Sequence, residues 1–144
     1  MALEIIATLC AGLFAGAAIY ITAVEHPARL SCGTAIAVRE FAPSYQRATI
    51  MQASLAILGL LAAVGAWWRN GDAAILVGGI LLGAVVPFTL LGILPTNRRL
   101  LAPSLDPESA EAATLLRRWG QLHAVRSVLG GLAFATLLVC VAQI

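Results

Sequence analysis

An all-α integral membrane protein is what this sequence predicts: a four-helix bundle in up-down-up-down order, with further helical segments in two long connections. Two observations carry that prediction. Hydrophobic residues fill 60% of the 144 positions, charged residues only 11%, and the mean hydropathy is +0.92, far more apolar than a soluble domain of this length. Four apolar runs, about 5–24, 49–68, 73–94 and 122–142, approach or reach the ~20 residues that cross a ~30 Å hydrocarbon layer. The length suits one domain, 1–144.

The first run follows Glu4 rather than a basic segment and ends in "VEHPARL", which is no small-residue cleavage site. It therefore reads as the first helix of the mature chain and not as a signal peptide. The "EFAPSY" stretch puts Pro43 in the first turn of an extended second helix. That helix ends in Trp67 and Trp68, an interfacial aromatic pair, and "RNGD" is short enough to force an antiparallel hairpin. In the third run Pro87 lacks a backbone N–H and predicts a kink. Before the fourth, "LDPESAEAATLLRRWGQLH" offers Asp106 as N-cap and Pro107 at the first helical position, so a helix starts there and runs into the last crossing. Gly12 and Gly16 on the first helix, and Gly79 and Gly83 on the third, have the four-residue spacing that lets membrane helices approach closely.

All nine basic residues are arginines, and only Arg69 lies away from the two long connections. The positive-inside rule makes the face carrying the other arginines cytoplasmic and sets both termini outside, so the expected location is an inner or plasma membrane. Arg29, Arg39, Arg98, Arg99, Arg117 and Arg118 read as topology signals or lipid-phosphate contacts. The net charge of +2 is too small to suggest nucleic acid. Cys10, Cys32 and Cys140 have no metal-ligand or redox spacing. Homo-oligomerisation stays open.

Helix geometry at 1.5 Å per residue puts Glu25 about 30 Å from the outer face, His123 about 32 Å, and Gln52 and Thr89 about 24 Å. Glu25, His26, Gln52, Thr89, Asn97, His123 and Arg126 thus converge from four helices at the cytoplasmic end, and Trp119 shares a helical face with His123 and Arg126. Singly, each is a boundary residue by default, and Tyr20 and Tyr45 read as interface or packing residues. Together, ionisable groups that face a bundle interior point to a functional pocket.

The run "GLFAGAAIYITAVEHPAR", followed by "FAPSYQRATIMQASLA", "VVPFTLLGILPTNRRL" and "RRWGQLHAVRSVLGGLAF", resembles a family of small four-helix membrane proteins that includes fungal anthrone oxygenases. The resemblance covers nearly the whole chain. It implies a cofactor-independent oxygenase converting a flat aromatic, anthrone-like or quinone-related molecule with O2. On that reading Glu25 or His26 removes a ring CH2 proton, Arg126, His123 and Asn97 stabilise the oxyanion, Trp119 stacks on the polycycle, and Gln52 and Thr89 orient its carbonyl oxygens.

Two other readings compete. Glu25, His26 and His123 are the ligand types of a non-haem iron or copper site, reachable by one metal only if Pro27 ends the first helix. The second is a non-enzymatic membrane protein that binds a lipid or small molecule. Nothing marks a nucleotide site or a serine triad, and no internal repeat suggests a transporter.

Overall fold

The computed structural model describes residues 1–143. Its helices are α1 (Ala2–Tyr20), α2 (His26–Ser31), α3 (Thr34–Asn70), α4 (Ala73–Gly83), α5 (Val85–Phe88), α6 (Leu94–Leu100) and α7 (Ala110–Ala142). Single π-helical turns at Ile21–Glu25 and Thr89–Ile93 join α1 to α2 and α5 to α6. The result is four rods, Ala2–Ser31, Thr34–Asn70, Ala73–Leu100 and Ala110–Ala142, each long and apolar enough to cross a membrane. The first and third rods each pack against the second and fourth, with little contact across the diagonals. Leu13, Leu61, Ile80, Leu91 and Val128 face outward and exposed, as a lipid-facing surface requires.

Prolines explain where the rods deform. A proline has no N–H for the carbonyl four residues back, and its ring clashes with that carbonyl. For Pro27 that carbonyl belongs to Ala23, and for Pro95 to Leu91; each is the central residue of a π-turn. The turns re-pair the backbone one residue further on, His26 N–H donating to Ile21 O and Leu94 N–H to Thr89 O. The helix therefore runs on through Pro27. Pro87 acts as expected: its orphaned carbonyl is that of Gly83, where α4 ends, and the third rod breaks at Ala84. Beyond the break this rod parts from the second, against which α4 packs closely.

Three local expectations are corrected. Pro43 lies well inside α3 and not in its first turn, because Ala37 and Phe41 bury against the core and draw the helix start back to Thr34. Asp106 is not the cap of the last helix. Its Oδ1 accepts from Glu108 N–H in a preceding turn, while Ser109 caps α7 by accepting from Ala112 N–H at 3.1 Å. Of the glycine pairs, Gly79 and Gly83 do admit close neighbours, Ala63 and Leu60 of the second rod, but Gly16 has nothing within 4 Å and Gly12 meets only the ring of Phe134.

Two apolar clusters fill the interior. One, at the end carrying the termini, contains Phe14, Ala63, Leu82 and Leu137. The other, toward the long connections, contains Phe41, Ile93, Leu116 and Trp119. Buried Gln52, His123 and Ser127 lie between them, at mid-bundle and not at the ends of the rods, while buried Glu4 and Thr8 lie near the termini. The second rod extends ~27 Å past Gln52 toward the connections, because those connections fold as helix.

Candidate functional site

Trp119, His123, Arg126 and Ser127 project inward from one face of α7, as their three- and four-residue spacing dictates. The His123 ring stacks on Trp119, with centroids 4.7 Å apart and planes at 26°. Its Nδ1 lies 3.0 Å from Thr22 Oγ1, which is 2.7 Å from Ser127 Oγ. Arg126 Nη2 donates to Gln52 Oε1 at 2.7 Å, and its guanidinium lies 5.6 Å from the centroid of the Phe14 ring. Phe41 meets Trp119 edge-on at 5.3 Å.

These groups enclose a small polar hollow of about 20 Å³, room for a single water. Gln52, Asn97, Trp119, His123 and Arg126 all line it. Adjoining it is a groove of about 120 Å³ between the second and third rods, walled by Ala53, Val85, Val86, Leu90 and Leu94. Hollow and groove share Tyr45, Thr49, Gln52 and Arg126, so the Arg126–Gln52 hydrogen bond stands at their seam. The break at Ala84 opens this groove. Within the site, Gln52 Nε2, Arg126 Nε and Asn97 Oδ1 are buried without hydrogen-bond partners, two donors and one acceptor with capacity left for a ligand.

The other expected site residues sit elsewhere. Thr89 lines only the groove, and its hydroxyl donates to Val85 O at 2.6 Å. His26 is buried behind Trp119, centroids 5.1 Å apart, in space that Gly120 provides: a Cβ on Gly120 would lie 2.6 Å from His26 Nε2. Glu25 does not face the hollow. It lies along grooves between the first and second rods, where it accepts from Ser44 Oγ at 2.8 Å and pairs with Arg29. The π-turn is the physical reason, since its extra residue rotates the downstream segment away from the direction a regular helix would give.

Arg29 corrects the reading of the connection arginines. Its side chain is 3% exposed, pairs with both Glu25 and Glu40, and lies beside the rings of Phe41 and Trp119. Its spacing of four from Glu25 was a signal for the pair. Thr22, Ser44, Tyr45 and Ser127 are further site residues that sequence reasoning missed, and Ser127 is one turn from His123. An Arg29→Met substitution keeps the stem's packing but strips Glu25 and Glu40 of their shared cation. The expected cost is about 1–3 kcal/mol, below the ~3–5 kcal/mol of a fully enclosed pair because both carboxylates keep some water. A lowered thermal midpoint in detergent, partly recovered by adding Glu40→Gln, is the measurement.

The iron or copper donor set does not fit. Among the described residues no three His, Cys, Asp or Glu side chains come together as ligands, and Glu25 and His26 diverge on a helix that Pro27 does not end.

Fold and site define a class: a small all-α membrane protein whose four rods surround a polar hollow adjoining an apolar groove. The chain matches the family described as Anthrone oxygenase over residues 41–136, and it belongs to that family. The matched stretch contains Gln52, Asn97, Trp119, His123 and Arg126 and begins after Glu25 and His26. Over 48 residues the chain is 48% identical to anthrone oxygenase tpcL of Aspergillus fumigatus. That similarity covers 31% of this chain and 30% of the fungal protein. No solved structure matches.

Proposed function

We propose that this protein is a membrane-embedded oxygenase that works without a cofactor on a flat, enolisable aromatic ketone, anthrone-like or quinone-related. The supporting observation is the shared wall of hollow and groove. Rings lying in the apolar groove bring a carbonyl edge to Arg126 and Gln52, and a ring CH2 toward His123. Neither space approaches the ~300 Å³ of small-molecule pockets, so binding requires the Arg126–Gln52 hydrogen bond to open and join the two. The bilayer is the source of the substrate, and the connection end, rich in arginine, is assigned to the cytoplasmic side.

His123 is the base in this reading, in place of Glu25, which Arg29 and Ser44 occupy. The C–H bond breaks, its proton goes to the imidazole, and the electron pair stays on the substrate as an enolate. Arg126 and the amide of Gln52 stabilise the oxygen charge. The electron-rich enolate then passes one electron to O2, and recombination forms a C–O bond. The remaining C–H bond and the O–O bond of this peroxide then break, the carbon becomes a carbonyl, and the departing hydroxide takes the proton held on His123 and leaves as water. Per turnover one ketone and one O2 give one quinone and one water.

The test is oxygen uptake and quinone absorbance for the purified protein with a panel of anthrones. One O2 consumed per quinone, at a rate unchanged by dialysis against a chelator, is the expected outcome. No uptake across the panel, with a lipid or other small molecule co-purifying, favours instead a non-enzymatic binder, which the apolar groove also suits.

A further inference from the structure

Hydrogen-bond counting around His123 points to where its proton sits. Ser127 Oγ lies 2.9 Å from Ala18 O and 3.3 Å from His123 O, and 2.7 Å from Thr22 Oγ1. Carbonyl oxygens only accept, so the single Ser127 proton goes to a backbone carbonyl. Toward Thr22, Ser127 can then only accept. That contact takes the single Thr22 proton, and Thr22 Oγ1 faces His123 Nδ1, 3.0 Å away, with lone pairs alone. In this arrangement Nδ1 carries the hydrogen. The reverse order would leave Ser127 Oγ and Ala18 O in contact with no proton between them.

We propose that Thr22 and Ser127 are positioning residues that hold neutral His123 as its Nδ1–H tautomer and leave the Nε2 lone pair as the proton acceptor of the hollow. A histidine free of such a partner in water favours hydrogen on Nε2, and the bond made by one ring nitrogen decides the state of the other. The proposal deepens the oxygenase reading and rests on it for the use made of Nε2. When a substrate C–H bond breaks, the new N–H bond forms at Nε2 and the pair of electrons remains on carbon. The Nδ1–H bond to Thr22 is already in place, so no second proton moves and no hydroxyl has to turn. The chain runs from α7 to the first rod and ends on its backbone, which ties the base to the scaffold.

The test is ¹⁵N NMR of histidine-labelled protein in detergent. The chain has two histidines, and the signals lost in His123→Asn assign the ring. The expected spectrum has the hydrogen of His123 on Nδ1, and Thr22→Val shifts it to a mixture containing Nε2–H. With an anthrone, Thr22→Val lowers kcat about 10- to 100-fold, the range for an imidazole metal ligand that loses its outer hydrogen-bond partner, with KM little changed. Thr22→Ser restores both tautomer and rate. Hydrogen on Nε2 in the unsubstituted protein, or an unaltered tautomer in Thr22→Val, overturns the proposal. The spectrum needs no substrate. An Nδ1–H signature without turnover of any anthrone overturns the oxygenase reading alone.

Discussion

Replacing His123 with asparagine should lower anthrone turnover by about 10²–10⁴-fold, the contribution of a positioned general base, while the bundle stays folded. Asparagine keeps an amide group within reach of Thr22 and removes the nitrogen that takes the substrate proton, together with the far side of the ring. The imidazole is 2% exposed and stacked on Trp119, so some loss of packing accompanies the change. Stability and catalysis are therefore read separately, by thermal unfolding in detergent and by initial rates of oxygen uptake. A folded variant at full rate would move the base elsewhere. Proportional loss of both signals would make His123 a packing residue.

A large effect on stability is expected at Gly79. A Cβ there would lie 2.4 Å from the Cβ of Ala63, and alanine has no rotamer that could yield. Gly79→Val must push the second and third rods apart. Overpacking of this kind costs about 1–3 kcal/mol, and in lipid no hydrophobic gain between helices offsets it. At Gly83 the nearest atom is Cδ2 of Leu60, 2.8 Å away, a flexible tip that can move aside. Gly16→Ala, in open space, is the matched control. Denaturation in detergent of the two variants should rank Gly79→Val well below Gly16→Ala, and equal stabilities would mean that the rods do not meet at this point.

The four rods were legible because a membrane helix must satisfy its whole backbone internally, so an apolar run of sufficient length leaves little else to form. The family was legible from "PTNRRL" and "WGQLHAVR", within the stretch that the family match covers. Counting residues also brought Gln52 and His123 to nearby levels, since both lie on uninterrupted helices. The same counting gave depth alone and did not say which way Glu25 points. The π-turn at Ile21–Glu25 changes the angle between the helical segments on its two sides, and Glu25 faces a groove while His26 is buried against Trp119. Arg29 was misread for a related reason. A connection arginine looks like a surface charge until the helix is known to continue through Pro27 and to bring Glu25 and Glu40 around it. The Thr22–Ser127 contact depends on two rods meeting in a particular register, which a single chain's periodicity does not contain.

The groove between the second and third rods opens on the flank of the bundle beside Thr49 and Leu90, both exposed. On the proposed function, a molecule reaching it comes from the hydrocarbon phase, where partitioning has already enriched an apolar polycycle far above its level in the surrounding solution. Half-saturation is then governed by mole fraction among the lipids, so saturation at a trace dissolved amount would reflect the solvent properties of the membrane as much as the grip of the protein.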